Sequence, residues 1–176
     1  MRKLSVLEMN RLSCSEFKAA DKIPLVVVLD NVRSLNNIGS VFRSSDAFRV
    51  ERIYLCGITA TPPNAEIHKT ALGAENSVDW VYVEETCDVV ELLKSEGFSV
   101  YAAEQTVGSI MLDDFSADAG KKYAVVLGNE VNGVQQSVVD LCDGALEIPQ
   151  FGTKHSLNVS VAAGIFIWHF FCRLRL

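Results

Sequence analysis

The chain has 176 residues, 49% of them hydrophobic and 22% charged, as expected of one soluble globular domain with a core of its own. Its net charge of −6 argues against a strongly basic nucleic-acid binder. The charge is uneven, however: residues 1–52 carry nine Lys/Arg and six Asp/Glu, the remainder seven and sixteen, so the first third is the part suited to meet phosphates.

Residues 1–24 read as a short helical extension ended by Pro24, and residues 25–176 as the main domain. The run "LVVVLD" (25–30) has the pattern of a strand buried on both faces. After the polar turn "NVRSLNN", "IGSVFRSSDAF" has helical spacing. "RIYLCG" (52–57) is the next predicted strand, and Pro62-Pro63 breaks the loop behind it. "IHKTALGAE" predicts a short helix ending near Gly73, and "VDWVYV" a strand. "TCDVVELLKSEG" is an amphipathic helix closed by Gly97, followed by the strand "FSVYAA". Then come the strand "YAVVLG" (123–128), the helix "VQQSVVDLC", the strand "ALEIP" and a last helix from about Leu157.

Strands alternating with helices predict an α/β fold, a mostly parallel sheet with helices on both faces. Ligands in such sheets sit beyond the carboxyl ends of the strands. Three polar stretches fall there: "NVRSLNNIGSVFR", "GNEVNG" and "PQFGTKHSLN".

The five cysteines are scattered, odd in number and without metal-ligand spacing, which suits a reducing, cytoplasmic compartment and small buried thiols. No metal is expected. "MRKLSVLEMNRL" has no secretory pattern. The apolar stretch Leu157 to Cys172 is interrupted by Asn158, Ser160 and His169 and is too short for a bilayer, so no membrane partner is expected.

Each polar stretch has a plain reading beside a chemical one. "GNEVNG" has the glycine spacing of a phosphate loop, but Val134 stands where the phosphate-binding Lys must be, which excludes a standard nucleotide hydrolase. It is otherwise a turn in which Glu130 is the odd feature, suited to pair a cation or accept hydrogen bonds from a ligand. Asn36 or Asn37 suits a helix cap. Arg43 suits a phosphate or carboxylate, or an ordinary surface bridge to Asp46 or Glu51. Ser156 suits a cap too, whereas Asn158, one turn into the predicted last helix, makes sense if its amide faces a ligand or another polar loop.

Together and in order, "NNIGSVFRSSDAF", "VVLGNEVNGV" and "EIPQFGTKHSLNVSVAAGIFIW" closely resemble the three motifs of the SpoU (TrmH-like) RNA 2′-O-ribose methyltransferases of the SPOUT superfamily, over about residues 25–172. The resemblance implies a deep C-terminal trefoil knot, which periodicity cannot show. It implies S-adenosylmethionine in that knot, lined by Ala103, Glu104, Leu127, Gly128, Asn129, Ile148, Gln150, Ser156 and Leu157. It also implies methylation of a ribose 2′-hydroxyl in structured tRNA or rRNA, with Arg43 as the electrostatic catalyst and Asn37, Glu130 and Asn158 holding Arg43 and the ribose. A homodimer through the last helix is implied as well. Ile165, Phe166, Trp168, Phe170 and Phe171 point around too much of that helix for one core, and Phe170 is taken as an aromatic facing the partner.

Three positions depart from the usual pattern: Gln150 for a Met, Ser45 for an Ala, and Arg49 for a Gly. A knotted RNA-binding or ribosome-assembly module without catalysis is the rival reading, which an intact Arg43 and Glu130 disfavour.

Overall fold

In chain order a 3-10 turn, Leu7–Met9, is followed by α1 (Cys14–Ala19), β1 (Ile23–Asp30), α2 (Leu35–Ala47), β2 (Val50–Cys56), α3 (Ala65–Ala71) and α4 (Ala74–Ser77). Then come β3 (Trp80–Val83), α5 (Thr86–Ser95), β4 (Phe98–Ala103), β5 (Ile110–Met111), β6 (Lys122–Leu127), α6 (Gln136–Leu141), β7 (Gly144–Glu147) and α7 (Val159–Leu174). This computed structural model describes residues 1–5 and 7–174; Val6 of the expected helical extension and residues 175–176 of the expected main domain lie outside them.

The strands form one sheet, ordered β3-β2-β1-β6-β4-β7-β5, with every strand pair parallel. The predicted α/β class holds, and the unbroken apolar run of β1 shows why. Leu25, Val27 and Leu29 pack into one layer with Ile38 and Phe42 of α2 and Phe166 and Phe170 of α7. Val26 and Val28 face the opposite layer, with Val89, Val90 and Leu93 of α5 and Val138 of α6. Alternate side chains of one strand thus serve two cores, which requires hydrophobes at both parities.

Several expectations are corrected. The first helix stops at Ala19, not at Pro24, which is the second residue of β1. The β1–β2 register shifts between Ile23 and Val26, and at that irregularity a strand tolerates a residue without an N–H. The short helix near Gly73 is two: Leu72 ends α3 in the left-handed region at φ 54°, and Gly73, at φ 95°, opens α4. Ser34, not Asn36 or Asn37, caps α2, its hydroxyl accepting from the Asn37 N–H. The last helix starts at Val159 rather than Leu157. β5 escaped notice, since two residues carry no periodicity.

The thiols are not uniformly buried: Cys14 and Cys172 are exposed and Cys87 and Cys142 half-buried. Burial pushes the Cys56 and Cys142 thiols up to about 12, so neither is a thiolate at neutral pH. Phe170 is fully buried, so it faces this protomer's core and not a partner.

Two details of α2 bear on the site. Gly39 has no room for a Cβ, which would overlap the Ile67 carbonyl and the Thr70 hydroxyl, so α2 and α3 meet backbone to backbone. Arg49 occupies the left-handed region at φ 51°, which explains why a Gly is usual there.

Candidate functional site: a cleft at the strand carboxyl ends

Beyond the carboxyl ends of β4, β6 and β7 lies a cleft of about 650 Å³. Leu127, Leu146, Ile148, Leu157, Val159, Ala162 and Phe166 give it an apolar wall. The loop that follows β6 forms the other side and is fixed from within. Asn129 and Gly133 exchange both backbone hydrogen bonds, and the Asn129 side chain accepts from Val131 and Asn132 N–H while donating to the Asn31 carbonyl at 2.8 Å. Gly128 must be glycine, because a Cβ there would overlap Gly133 and Val134 backbone. The Glu104 carboxylate holds the far side of the loop, accepting from Val134 N–H at 3.1 Å.

The loop's Glu130 is the hub of a polar chain. Its carboxylate accepts from the N–H groups of Arg33 and Ser34 at 3.0 and 2.9 Å and from the Asn37 amide at 3.0 Å. The Asn37 carbonyl oxygen in turn accepts from the Asn158 amide at 3.1 Å. Asn158 Oδ1 faces the other way and accepts from Ser160 and Val161 N–H, capping α7. Asn158 therefore precedes the helix instead of sitting one turn inside it, and its amide meets the Asn37 side chain in the first turn of α2. Burial pushes Glu130 upward, but the N–H groups of Arg33 and Ser34 and the Asn37 amide outweigh it and hold the carboxyl below its ordinary value.

All nine residues expected around a donor line this one cleft: Ala103 and Glu104, then Leu127, Gly128 and Asn129, then Ile148, Gln150, Ser156 and Leu157. Of the four expected catalytic residues, Glu130 and Asn158 line it. Asn37 lies behind them, nine-tenths buried in α2. Arg43 is not joined to this trio: it is exposed, six residues further along α2, with no hydrogen bond or ion pair among the described residues. The bridges to Asp46 or Glu51 are not made; Asp46 accepts from Ser77 and Glu51 pairs with Arg52.

Sequence reasoning missed what stiffens the site from below. Asp30 is fully buried at the end of β1. It accepts from Gln135 N–H at 2.8 Å, from the Gln135 amide at 2.9 Å, from the Thr86 hydroxyl at 2.6 Å and from the Asn31 amide at 2.9 Å. One carboxylate thereby pins the end of the Gly128–Val134 loop to the sheet. The signal was present: a charged residue closing an apolar strand needs partners. Gln105 was missed too; its amide donates to the His155 carbonyl at 2.8 Å and ties the 150–157 segment to the end of β4. Among the described residues, no group of three or more His, Cys, Asp or Glu is placed to hold a metal ion, and no helix is long and apolar enough to cross a membrane.

A wholly parallel sheet covered by helices on both faces, with a cleft built from loops at its strand carboxyl ends, defines a three-layer α/β protein. The chain belongs to the SpoU rRNA Methylase family, whose sequence model matches residues 24–168. It is 31% identical to the 23S rRNA (guanosine-2′-O-)-methyltransferase RlmB of Vibrio parahaemolyticus over 158 residues, covering 90% of this chain and 63% of that protein. It is 33% identical to the tRNA (guanosine(18)-2′-O)-methyltransferase of Aquifex aeolicus over 147 residues, 82% of this chain and 67% of that protein. The chain thus spans under two thirds of the Vibrio protein. Among solved structures, the A. aeolicus TrmH/SpoU tRNA modifying enzyme superposes with a TM-score of 0.79 at 26% identity, over 96% of this chain and 84% of that one. The Streptomyces viridochromogenes SpoU methyltransferase AviRb in complex with the cofactor AdoMet gives 0.73 at 25% identity, over 89% and 60%.

Proposed function

We propose that this protein transfers a methyl group from S-adenosylmethionine to a ribose 2′-hydroxyl of structured RNA, tRNA or rRNA. The observation that carries the reading is the convergence of three separated motifs on one cleft, joined by the Glu130–Asn37–Asn158 chain. The names of its relatives support the RNA and the position of the methyl group. The AdoMet complex of AviRb supports the donor.

The cleft fits such a donor. Its volume lies within the roughly 300–1,000 Å³ of small-ligand sites, and Gly128 lets the loop beside it close on its own backbone. Leu127, Ile148, Leu157 and Phe166 would cover the apolar parts, and Ser156, Gln150 and the loop backbone the polar ones. Bound there, S-adenosylmethionine supplies a methyl group already activated by the positive sulfonium. The protein's task is alignment and stabilisation of the alkoxide charge that develops on the ribose oxygen.

Arg43 serves that task. Its guanidinium has no hydrogen-bond or ion-pair partner among the described residues, and its planar fork binds a phosphate oxygen and the reacting oxygen together. Glu130, held ionised, fixes Asn37 and with it the start of the helix that carries Arg43. Asn158 locks the start of α7 to the same chain. We infer further that residues 148–158 thread between the 103–106 and 128–134 segments as the family's trefoil knot, since all three segments line the cleft.

The partner surface belongs to the same reading. Val161, Ile165 and Trp168 are 53%, 37% and 54% exposed and fall at helical spacing on one side of α7. An exposed apolar stripe on a helix whose other side is core suits a two-fold dimer. The protein would act in the cytoplasm, where its five thiols stay free. Calorimetry with S-adenosylhomocysteine tests the donor: one site per protomer is expected, and no heat at millimolar ligand contradicts the assignment.

A further inference from the structure

A second cavity, of about 490 Å³, lies at the β3 edge of the sheet, between the Pro62-Pro63 loop, α3, α4 and the start of β3. Trp80, Pro62 and Pro63 make its apolar walls, and Asn64, His68 and Glu75 its polar side. The Glu75 side chain is only 9% exposed. Its Oε1 meets His68 Nδ1 at 2.5 Å. Its Oε2 has essentially no accessible surface, and although burial pushes the carboxyl upward, His68 and the backbone N–H groups of Glu75 and Gly73 outweigh it and hold the group below its ordinary value. The His68 side chain is 63% exposed, and with Nδ1 turned to Glu75 its Nε2 remains without a partner among the described residues.

We propose that this cavity binds one unpaired nucleotide of an RNA strand, with the base against Trp80 and its polar edge toward His68, which Glu75 holds in place. The proposal rests on RNA being the substrate. Stacking on an indole is how proteins take up splayed RNA bases, and every base has a π-face to offer. Each base also carries hydrogen-bonding groups on its edge, for which the exposed His68 Nε2, without a partner among the described residues, is the available contact. A cationic side chain is the rival occupant for a tryptophan beside a carboxylate. The His68–Glu75 contact argues against it, because the imidazole already occupies the carboxylate.

The surroundings suit a phosphate backbone passing outside. Asn76, which lines the cavity, accepts at its backbone carbonyl from the Cys14 thiol of α1. Lys18 on α1 pairs with Asp79 at 3.9 Å and Lys69 with Glu66 at 2.6 Å, both lysine side chains more than half exposed, so a phosphate there would take the place of an exposed carboxylate. In the strand order three spacings separate β3 from β6, so the cavity lies about 14 Å or more from the methyl-transfer cleft across the sheet. The same RNA molecule reaches both.

The test uses the full chain. Nucleoside 5′-monophosphates and a short single-stranded oligoribonucleotide are titrated while tryptophan fluorescence is followed, in wild type, Trp80→Phe and His68→Ala. Quenching is expected in wild type, with Trp80→Phe abolishing it and His68→Ala weakening the affinity. In methyl transfer, Trp80→Leu and the exposed-site variant His68→Ala are each expected to raise KM for RNA, the former about tenfold, with kcat retained. Equal S-adenosylhomocysteine affinity in all variants reports that each is folded. Quenching that persists in Trp80→Phe overturns the proposal, as does quenching by arginine amide but not by nucleotides, or an unchanged KM in His68→Ala and Trp80→Leu. A wild type that methylates RNA but binds no nucleotide here refutes this site alone. A wild type that binds nucleotides here but transfers no methyl group refutes the enzymatic reading instead.

Discussion

The side chains of Asn37 and Asn158 meet at 3.1 Å although 121 residues separate them. One amide thereby joins the first turn of α2 to the cap of α7. Its other end caps the helix, so the two duties can be separated by mutation. Asn158→Ser keeps a capping oxygen and loses the donor to Asn37, whereas Asn158→Ala loses both. Asn158→Ala is expected to cost about 1 kcal/mol of stability and Asn158→Ser only a few tenths. Both should lower methyl transfer at least tenfold. Denaturant unfolding and single-turnover methylation on the same samples check this; full activity in Asn158→Ser sinks it.

Gly39 sits where α2 and α3 touch through their backbones. Gly39→Ala forces a methyl group into the Ile67 carbonyl and the Thr70 hydroxyl. The gain in helix propensity, about 1 kcal/mol, is smaller than the overpacking cost, about 1–3 kcal/mol. A net loss of stability is expected in chemical denaturation. A stabilised variant contradicts the close approach.

His169 gives the pH dependence a definite sign. Burial beside Phe115 and Phe170 pushes its imidazole below the ordinary 6.5, outweighing its hydrogen bond to the Phe115 backbone, and Arg173 adds to the effect. The folded state therefore disfavours the protonated form. Its contribution to stability is complete above pH 6.5 and is lost as the pH falls from there through the lower folded value. Tm is expected to decline on acidification below about pH 6.5 in wild type, and less steeply in His169→Phe. Identical slopes in the two proteins refute the assignment to His169.

Trp168 replaces Phe170 as the residue that tests the dimer. Trp168 is 54% exposed and stacks on Phe171 with ring centroids 5.8 Å apart, whereas Phe170 is fully buried. Trp168→Asp is expected to give a folded monomer in sedimentation at low micromolar concentration, with weakened donor binding. A wild-type monomer that methylates RNA refutes both the dimer and its role in bracing the cleft.

The fold class was legible because β1 is apolar at both parities, and only a strand covered on two faces needs that. The cleft was legible because its motifs pair glycines with polar side chains at strand ends. Asp30 was not, since one carboxylate at the end of a strand gives no sign of which loops it will reach across 105 residues to Gln135. The orientation of the last helix was not legible either. With apolar residues all round, only packing decides that Phe166 and Phe170 turn inward and Ile165 and Trp168 outward. Asn158 was placed one turn too deep because the apolar run begins before the helix does.

Ribose methylation assisted by Arg43 is tested most directly by mapping the product. Unmodified tRNA and rRNA fragments are incubated with isotopically labelled S-adenosylmethionine and either wild type or Arg43→Ala. Nuclease digestion and mass spectrometry then locate the label. The expected result is a 2′-O-methylated nucleotide with wild type and at least a hundredfold slower transfer with Arg43→Ala, the scale of losing one transition-state donor, with S-adenosylhomocysteine affinity unchanged. Label on a base, or Arg43→Ala transfer at the wild-type rate, would contradict it.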